Sequence, residues 1–174
     1  DGASNLSIVS SVVHIGSNPP LLAFMSRPLS VERHTLHNIM ETGTFTINAV
    51  PAVHADQAHQ TAARYPREVS EFDAAGFQAT YRAEFTAQFV AESPVQIGML
   101  YLSQTELPNT TVMVIGQVVE IHIAGEAVRE DGAINFSELD VAAVTGLDTY
   151  YSAGKIARLE YAKPDLPPRR VTNG

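Results

Sequence analysis

Two long apolar stretches, Pro94 to Thr105 and Thr111 to Ala124, restrict the fold of this chain more than anything else in it. Both are dominated by Val, Ile, Leu and Met, and only the turn Glu106-Leu107-Pro108-Asn109 separates them. Residues that suit a pleated, half-buried surface, joined by so short a link, read as the two arms of a large antiparallel hairpin. Further strands are predicted at Leu6 to Val13, rich in Ser and Val, and at Leu21 to Met25, an apolar run between Pro19-Pro20 and Pro28. Phe45 to Val50 alternates apolar and polar until Pro51, so one face is expected to be buried and the other to present Thr46 and Asn48.

Helices are predicted to be short. Leu36, Ile39 and Met40 recur at helical spacing between Arg33 and Thr42, and Gly43 stands where a left-handed cap belongs. A second helix is expected over Asp56 to Arg64, capped by Asp56 and stopped by Pro66, and a turn or two over Ser70 to Gly76. Phe77 to Phe85 reads as irregular or strand-like. Asp131-Gly132 marks a turn, and Phe136 to Ala143 reads as a short helix leading into Gly146. Six or so strands at uneven spacing, without regular β–α alternation, predict a mainly β fold: a closed or half-closed antiparallel barrel with short peripheral helices. No G-x-G-x-x-G follows a strand and no G-K-[ST] occurs, which disfavours a dinucleotide-binding parallel sheet and a P-loop. The 174 residues suit one domain, 1–163, followed by a Pro- and Arg-containing tail, 164–174, expected to be extended and mobile.

Charge and cysteine content narrow the function classes. Eleven Lys and Arg against nineteen Asp and Glu leave a formal charge of −8, a surface that repels nucleic acid and anionic lipid. No apolar stretch approaches the roughly 20 residues of a spanning helix, and no basic segment followed by an apolar core opens the chain. The expected setting is the cytoplasm, without nucleic-acid or membrane partners. Cysteine is absent, so thiolate catalysis and iron–sulfur clusters are excluded and any redox chemistry needs a bound cofactor.

One stretch stands out chemically. Between Gly2 and Val31 the only formally charged side chain is Arg27, at the end of an apolar strand and beside Ser26. Hydroxyls at Ser10, Ser11, Ser17, Ser26 and Ser30 surround it in sequence, and Arg33 and His34 follow just before Thr35 opens a helix. A helix N-terminus offers free N–H groups and partial positive charge, and Arg27 can add a guanidinium fork, so a phosphate suits this stretch. The alternative is that Thr35 only caps its helix and Arg27 pairs with a carboxylate such as Glu32.

The pattern also resembles a known family. Asn5-Leu6-Ser7-Ile8-Val9-Ser10, Ser17-Asn18-Pro19-Pro20-Leu21-Leu22, Arg33-His34-Thr35-Leu36-His37-Asn38-Ile39 and Glu41-Thr42-Gly43-Thr44-Phe45-Thr46-Ile47-Asn48 match flavin reductase-like proteins in order and spacing. So do Val69-Ser70-Glu71-Phe72, Ala91-Glu92-Ser93-Pro94-Val95, Ile115-Gly116-Gln117-Val118-Val119 and Asp131-Gly132. The resemblance implies an FMN-binding split barrel, a homodimer with the flavin near the subunit interface, and hydride transfer from NADH or NADPH to flavin and on to an acceptor. Carried over by position, Ser10 and its neighbour Ser11 would line the isoalloxazine and ribityl. Ser26, Arg27, His34 and Thr35 would hold the phosphate, with Arg33 a further candidate.

This chain departs from the family pattern at three places. Family members usually have a further strand ahead of the Asp1-Gly2 turn. His14 stands at a position that is otherwise small or amide-bearing. Gly146-Leu147-Asp148-Thr149-Tyr150-Tyr151 looks like a Gly-Gly-x-Tyr-Tyr stretch with one glycine lost. A flavin would carry the reaction itself, which fits the lack of any catalytic triad or carboxylate pair. A non-enzymatic FMN-binding electron carrier or flavin store remains the alternative, and an empty barrel used for protein interaction a third reading. Glu71 and Asp73 are read as a solvated helix face, Tyr65, Tyr81 and Tyr161 as packing residues with wet hydroxyls, and His34, His37, His54 and His59 as too dispersed for a metal site.

Overall fold

The computed structural model describes residues 4–28, 34–82 and 85–171, apart from the side chain of Glu126. Its centre is the predicted hairpin: β6 (Val95–Glu106) pairs antiparallel with β7 (Val112–Ile123). On the β7 side lie β2 (Pro20–Ser26) and then β1 (Val12–Ser17), and on the β6 side lies β3 (Thr44–Asn48). The five strands run in the order β1-β2-β7-β6-β3, all neighbours antiparallel, and the sheet does not close on itself. Register irregularities at His14/Gly16, Gly98/Met99 and Tyr101/Ser103 mark bulges, which bend and twist a sheet toward a barrel.

One face of the sheet carries the main core. Phe24, Val114 and Val112 on β2 and β7 meet Met99 and Phe45 from β6 and β3, and α1 (His34–Thr42) closes the layer with Leu36 and Ile39. The Phe24 and Phe45 rings meet edge to face at 5.7 Å, a favoured aromatic geometry. Gly43, at φ 72, ends α1 as expected, and its N–H bonds to Ile39 O at 2.9 Å. Phe45 lies over Gly116 so closely that the glycine has no room for a side chain.

A second cluster, Ala58, Phe72, Ala75, Phe77 and Val90, joins α2 (Ala55–Gln60) and α3 (Glu71–Ala75) to the short strands β4 (Ala79–Thr80) and β5 (Phe89–Val90). Thr46 and Asn48 do not face solvent. Thr46 Oγ1 donates to Gln88 O at 2.7 Å and Asn48 Oδ1 accepts from Val90 N at 3.1 Å, so the polar face of β3 fastens the 86–90 segment across it.

Four expectations need correction. The strand over Leu6 to Val13 begins only at Val12, because Leu6 N donates to Glu71 Oε2 and Ile8 N to Thr61 Oγ1 instead of to a neighbouring strand. Asp56 is the second residue of α2, not its cap; the chain enters that helix from the single helical turn Ala52–His54. The helix over Phe136 to Ala143 is one turn, Phe136–Glu138, after which Ala142 N bonds to Val50 O and β8 (Ala142–Thr145) pairs with β9 (Thr149–Ser152). The tail stretch turns at Lys163–Leu166 and runs back, with Leu159 opposite Arg170, Glu160 N on Arg169 O and Val171 N on Arg158 O.

A Cβ added at Gly116 would lie 2.7 Å from Phe45 Cζ and 3.0 Å from Leu100 O. Gly116→Ala is therefore expected to lower unfolding free energy by about 1 to 3 kcal/mol, the usual scale for overpacking a core. Urea denaturation with an unchanged midpoint would mean that the ring moves aside at no cost.

Candidate functional site

Two neighbouring regions combine the chemistry singled out in the sequence. The first is the exit of β2. Met25 N donates to Ser11 O at 3.1 Å, which stitches the 10–11 segment beside the end of β2 and brings Ser10, Ser11, Ser26 and Arg27 to one corner. Arg27 is exposed and makes no ion pair or side-chain hydrogen bond among the described residues. Ser10 is also exposed, and Ser26 Oγ has only a long 3.3 Å contact to Arg27 O. An exposed hydroxyl, a second one held only by a long contact, and a guanidinium without a partner among the described residues are a donor set that suits an anion. Arg33 falls in the segment 29–33, outside the described residues.

The second region begins at α1. His34 and Thr35 open this helix, which buries Leu36 and Ile39 below. Thr35 Oγ1 donates to Asn5 Oδ1 in a short bond, and Asn5 Nδ2 donates in turn to both oxygens of Glu71 at 3.0 Å. Thr35 thus has its proton on Asn5, and what it can offer an anion from α1 is its backbone N–H. Glu71, read from the sequence as solvated, is only 6% exposed. It receives donors from Asn5 and from Leu6 N and so holds the N-terminal segment against α3. The signal that could have found it was already present, since Val69-Ser70-Glu71-Phe72 belongs to the family-like pattern; its place on a short polar turn hid it.

Between α1, β3, the N-terminal segment and α2–α3 runs a cavity of about 650 Å3, a size typical of small-molecule sites. Ile8, Phe45, Phe72 and Val90 line it together with the neutral polar groups of Thr35 and Asn48, and among the described residues Glu41 is the one charged residue on the wall. Such a wall suits a flat, largely uncharged group. Thr35 both opens α1 and lines the cavity. Ser10, Ser11, Ser26 and Arg27 lie outside it.

The histidines go separate ways. His14 is exposed on β1 opposite Leu22, His37 lies 3.7 Å from Glu41, and His54 Nδ1 bonds to Gln57 Oε1. Among the described residues no group of three or more potential ligands could hold a metal, and no helix is long and apolar enough to cross a membrane. His59 meets Tyr150 of β9, with Nδ1 3.0 Å from the phenol oxygen and the rings edge to face at 5.8 Å. The contact ties the β8–β9 hairpin to α2 and gives Tyr150 a structural place. Of the other tyrosines, Tyr65 and Tyr81 hold glutamine side chains at their hydroxyls, whereas Tyr161 is bare rather than packed.

Known proteins share this fold. A family model described as the flavin reductase like domain matches residues 1–151. A solved structure from Shewanella frigidimarina, assigned as a flavin reductase with a split barrel domain, is 46% identical at a TM-score of 0.86, covering 91% of this chain and 79% of that one. Flavoredoxin of Desulfovibrio vulgaris shares the fold at a TM-score of 0.74 and 20% identity, covering 92% of this chain and 82% of its own. An FMN-binding protein from Thermus thermophilus does so at 0.69 and 15% identity, covering 85% and 78%.

Glu71→Ala is expected to cost about 1 to 3 kcal/mol of stability, because it leaves Leu6 N and the Asn5 amide without their acceptor; thermal unfolding measures it. Tyr150 ionises above the ordinary phenol range, held there first by burial and then by the Asp148 charge. A raised folded value means that its contribution is complete below the ordinary phenol range and is lost as pH rises through the folded value. Ultraviolet titration should show a late tyrosinate step that Tyr150→Phe removes; a curve unchanged by that substitution contradicts the assignment.

Proposed function

This chain belongs to the flavin reductase like family, and from that membership and the donor set at the exit of β2 we propose a flavoprotein oxidoreductase. It holds FMN, takes hydride from NADH or NADPH and passes electrons to an acceptor. The observation that carries the reading is Arg27: a cation without a protein partner among the described residues, in a chain of net charge −8, beside two serines with free or weakly held hydroxyls. The likeness to an FMN-binding protein in fold supports the choice of flavin.

In this proposal Ser26, Arg27, His34 and the backbone of Thr35 bind the phosphate, with Arg33 beside them, and Ser10 and Ser11 orient the ribityl and ring. The neutral cavity wall lets the rest of the ligand or its reaction partner extend away from the phosphate corner without meeting charge. A bound flavin supplies the hydride and electron transfer; the chain supplies position and exclusion of water. The protein works as a homodimer, supported by the apolar residues left exposed on the sheet, among them Val13, Leu100 and Val119. Its setting is the cytoplasm, in keeping with a cysteine-free chain.

Purified protein reconstituted with FMN is expected to show flavin absorbance, and NADH or NADPH to bleach it. No flavin bands after reconstitution would sink the reading, whereas bands that neither nicotinamide bleaches would leave an electron carrier in place of a reductase. Arg27→Ala is expected to weaken FMN binding by about 1.5 to 3 kcal/mol, the scale of a hydrogen bond to a charged group. Unchanged affinity in a fluorescence titration would remove Arg27 from the site.

A further inference from the structure

Beside the cavity, three polar side chains form a run of hydrogen bonds whose direction is fixed from one end. Glu71, the first residue of α3, is 6% exposed and is not among the cavity-lining residues. Each of its oxygens accepts from Asn5 Nδ2 at 3.0 Å, and Oε2 accepts from Leu6 N at 3.0 Å as well. Asn5 and Thr35 do line the cavity, and Thr35 Oγ1 donates to Asn5 Oδ1. The run therefore starts on a buried carboxylate and ends on a hydroxyl at the wall, at the opening of α1.

The two ends of a carboxamide have nearly the same shape, so an asparagine can turn either its NH2 or its oxygen toward a neighbour. A carboxylate removes that choice, because it accepts and cannot donate. Facing Glu71, Asn5 turns its NH2 to the carboxylate and its carbonyl oxygen to Thr35, and Thr35 directs its single hydroxyl proton to Asn5. Only lone pairs are left on Thr35 Oγ1, whereas a hydroxyl not held in this way rotates to suit a donor or an acceptor. A simple tether would need less: any acceptor at position 71 could hold Leu6 N and the Asn5 amide. The further effect of the carboxylate is to set the polarity of Thr35.

We propose that Glu71 is a positioning residue for the bound ligand: through Asn5 it holds Thr35 Oγ1 as an acceptor, so that the ligand meets this hydroxyl with an O–H or N–H of its own. At the start of α1 the backbone N–H of Thr35 suits an anion, and its hydroxyl, polarised by Asn5, suits a donor. One residue offering both matches a phosphate ester whose neighbouring carbons carry hydroxyls, a polyol phosphate. The proposal rests on the flavin reading above, in which that ligand is FMN and the donor is a hydroxyl of its ribityl chain. An acceptor brought against Thr35 Oγ1 would set lone pair against lone pair and leave both unpaired, which costs more than the missing hydrogen bond contributes.

FMN affinity by fluorescence titration, read together with Tm, separates this role from a tether. Glu71→Gln keeps the size of the side chain but can turn an NH2 toward Asn5, and it is expected to weaken FMN binding about fivefold, the scale of one neutral hydrogen bond. Thr35→Val is expected to lose as much. In the Thr35→Val background Glu71→Gln should then cost no further affinity, although Tm still falls. The exchange of Asn5→Asp with Glu71→Gln puts the carboxylate in the middle of the run, where it again accepts from Thr35, and FMN affinity is expected to return to within about twofold of wild type. Unchanged affinity in Glu71→Gln, or a loss that persists in full in the Thr35→Val background, overturns the proposal and leaves FMN binding in place. If Glu71→Gln does not fold, the exchange decides: a folded exchange variant that binds FMN as weakly as Thr35→Val overturns the proposal. A wild type that takes up no FMN overturns the flavin reading and this proposal together.

Discussion

The pairing of β6 with β7 is the interaction on which the remaining structure depends. Twelve residues on each side hydrogen-bond along their length, and each strand offers its free edge to one more element: β7 to β2, β6 to β3. The hairpin also sets the faces. Val112 and Val114 point to the side where α1 lays Leu36 and Ile39, and Gly116 is bare so that Phe45 can cross it. Take away this hairpin and α1 has no layer to close. The corner at Ser26 and Arg27 would also lose the strand that brings it beside Ser11.

Around this frame, backbone groups that no strand satisfies are met by side chains. Leu6 N uses Glu71, Ile8 N uses Thr61 and Val90 N uses Asn48. A buried donor without an acceptor costs more than a hydrogen bond contributes, so these polar residues are as necessary to the second cluster as Phe72 and Phe77. They also shape the cavity: the N-terminal segment and the 86–90 segment, both held this way, form two of its walls.

Functional surfaces divide by charge. The β2 exit offers cationic and hydroxyl donors, the cavity wall is neutral apart from Glu41 among the described residues, and residues 153–171 carry an excess of cations beside an acidic body.

Sequence alone determined the elements whose signal is local. The hairpin, β2, the helix ending at Gly43 and the β3 alternation are visible because side-chain period and turn residues are properties of neighbours in the chain. The donors at Ser26 and Arg27 were visible for the same reason, as a lone cation next to a serine. What only the tertiary structure decided is how groups distant in sequence use each other. Glu71 looks solvated until Asn5 and Leu6 arrive from 65 residues away. Thr46 and Asn48 look exposed until the 86–90 segment covers them, and Phe136 to Ala143 looks helical until Val50 offers a strand partner. In each case a long-range hydrogen bond outweighed a local preference of a few tenths of a kcal/mol per residue, and no local pattern records such a bond.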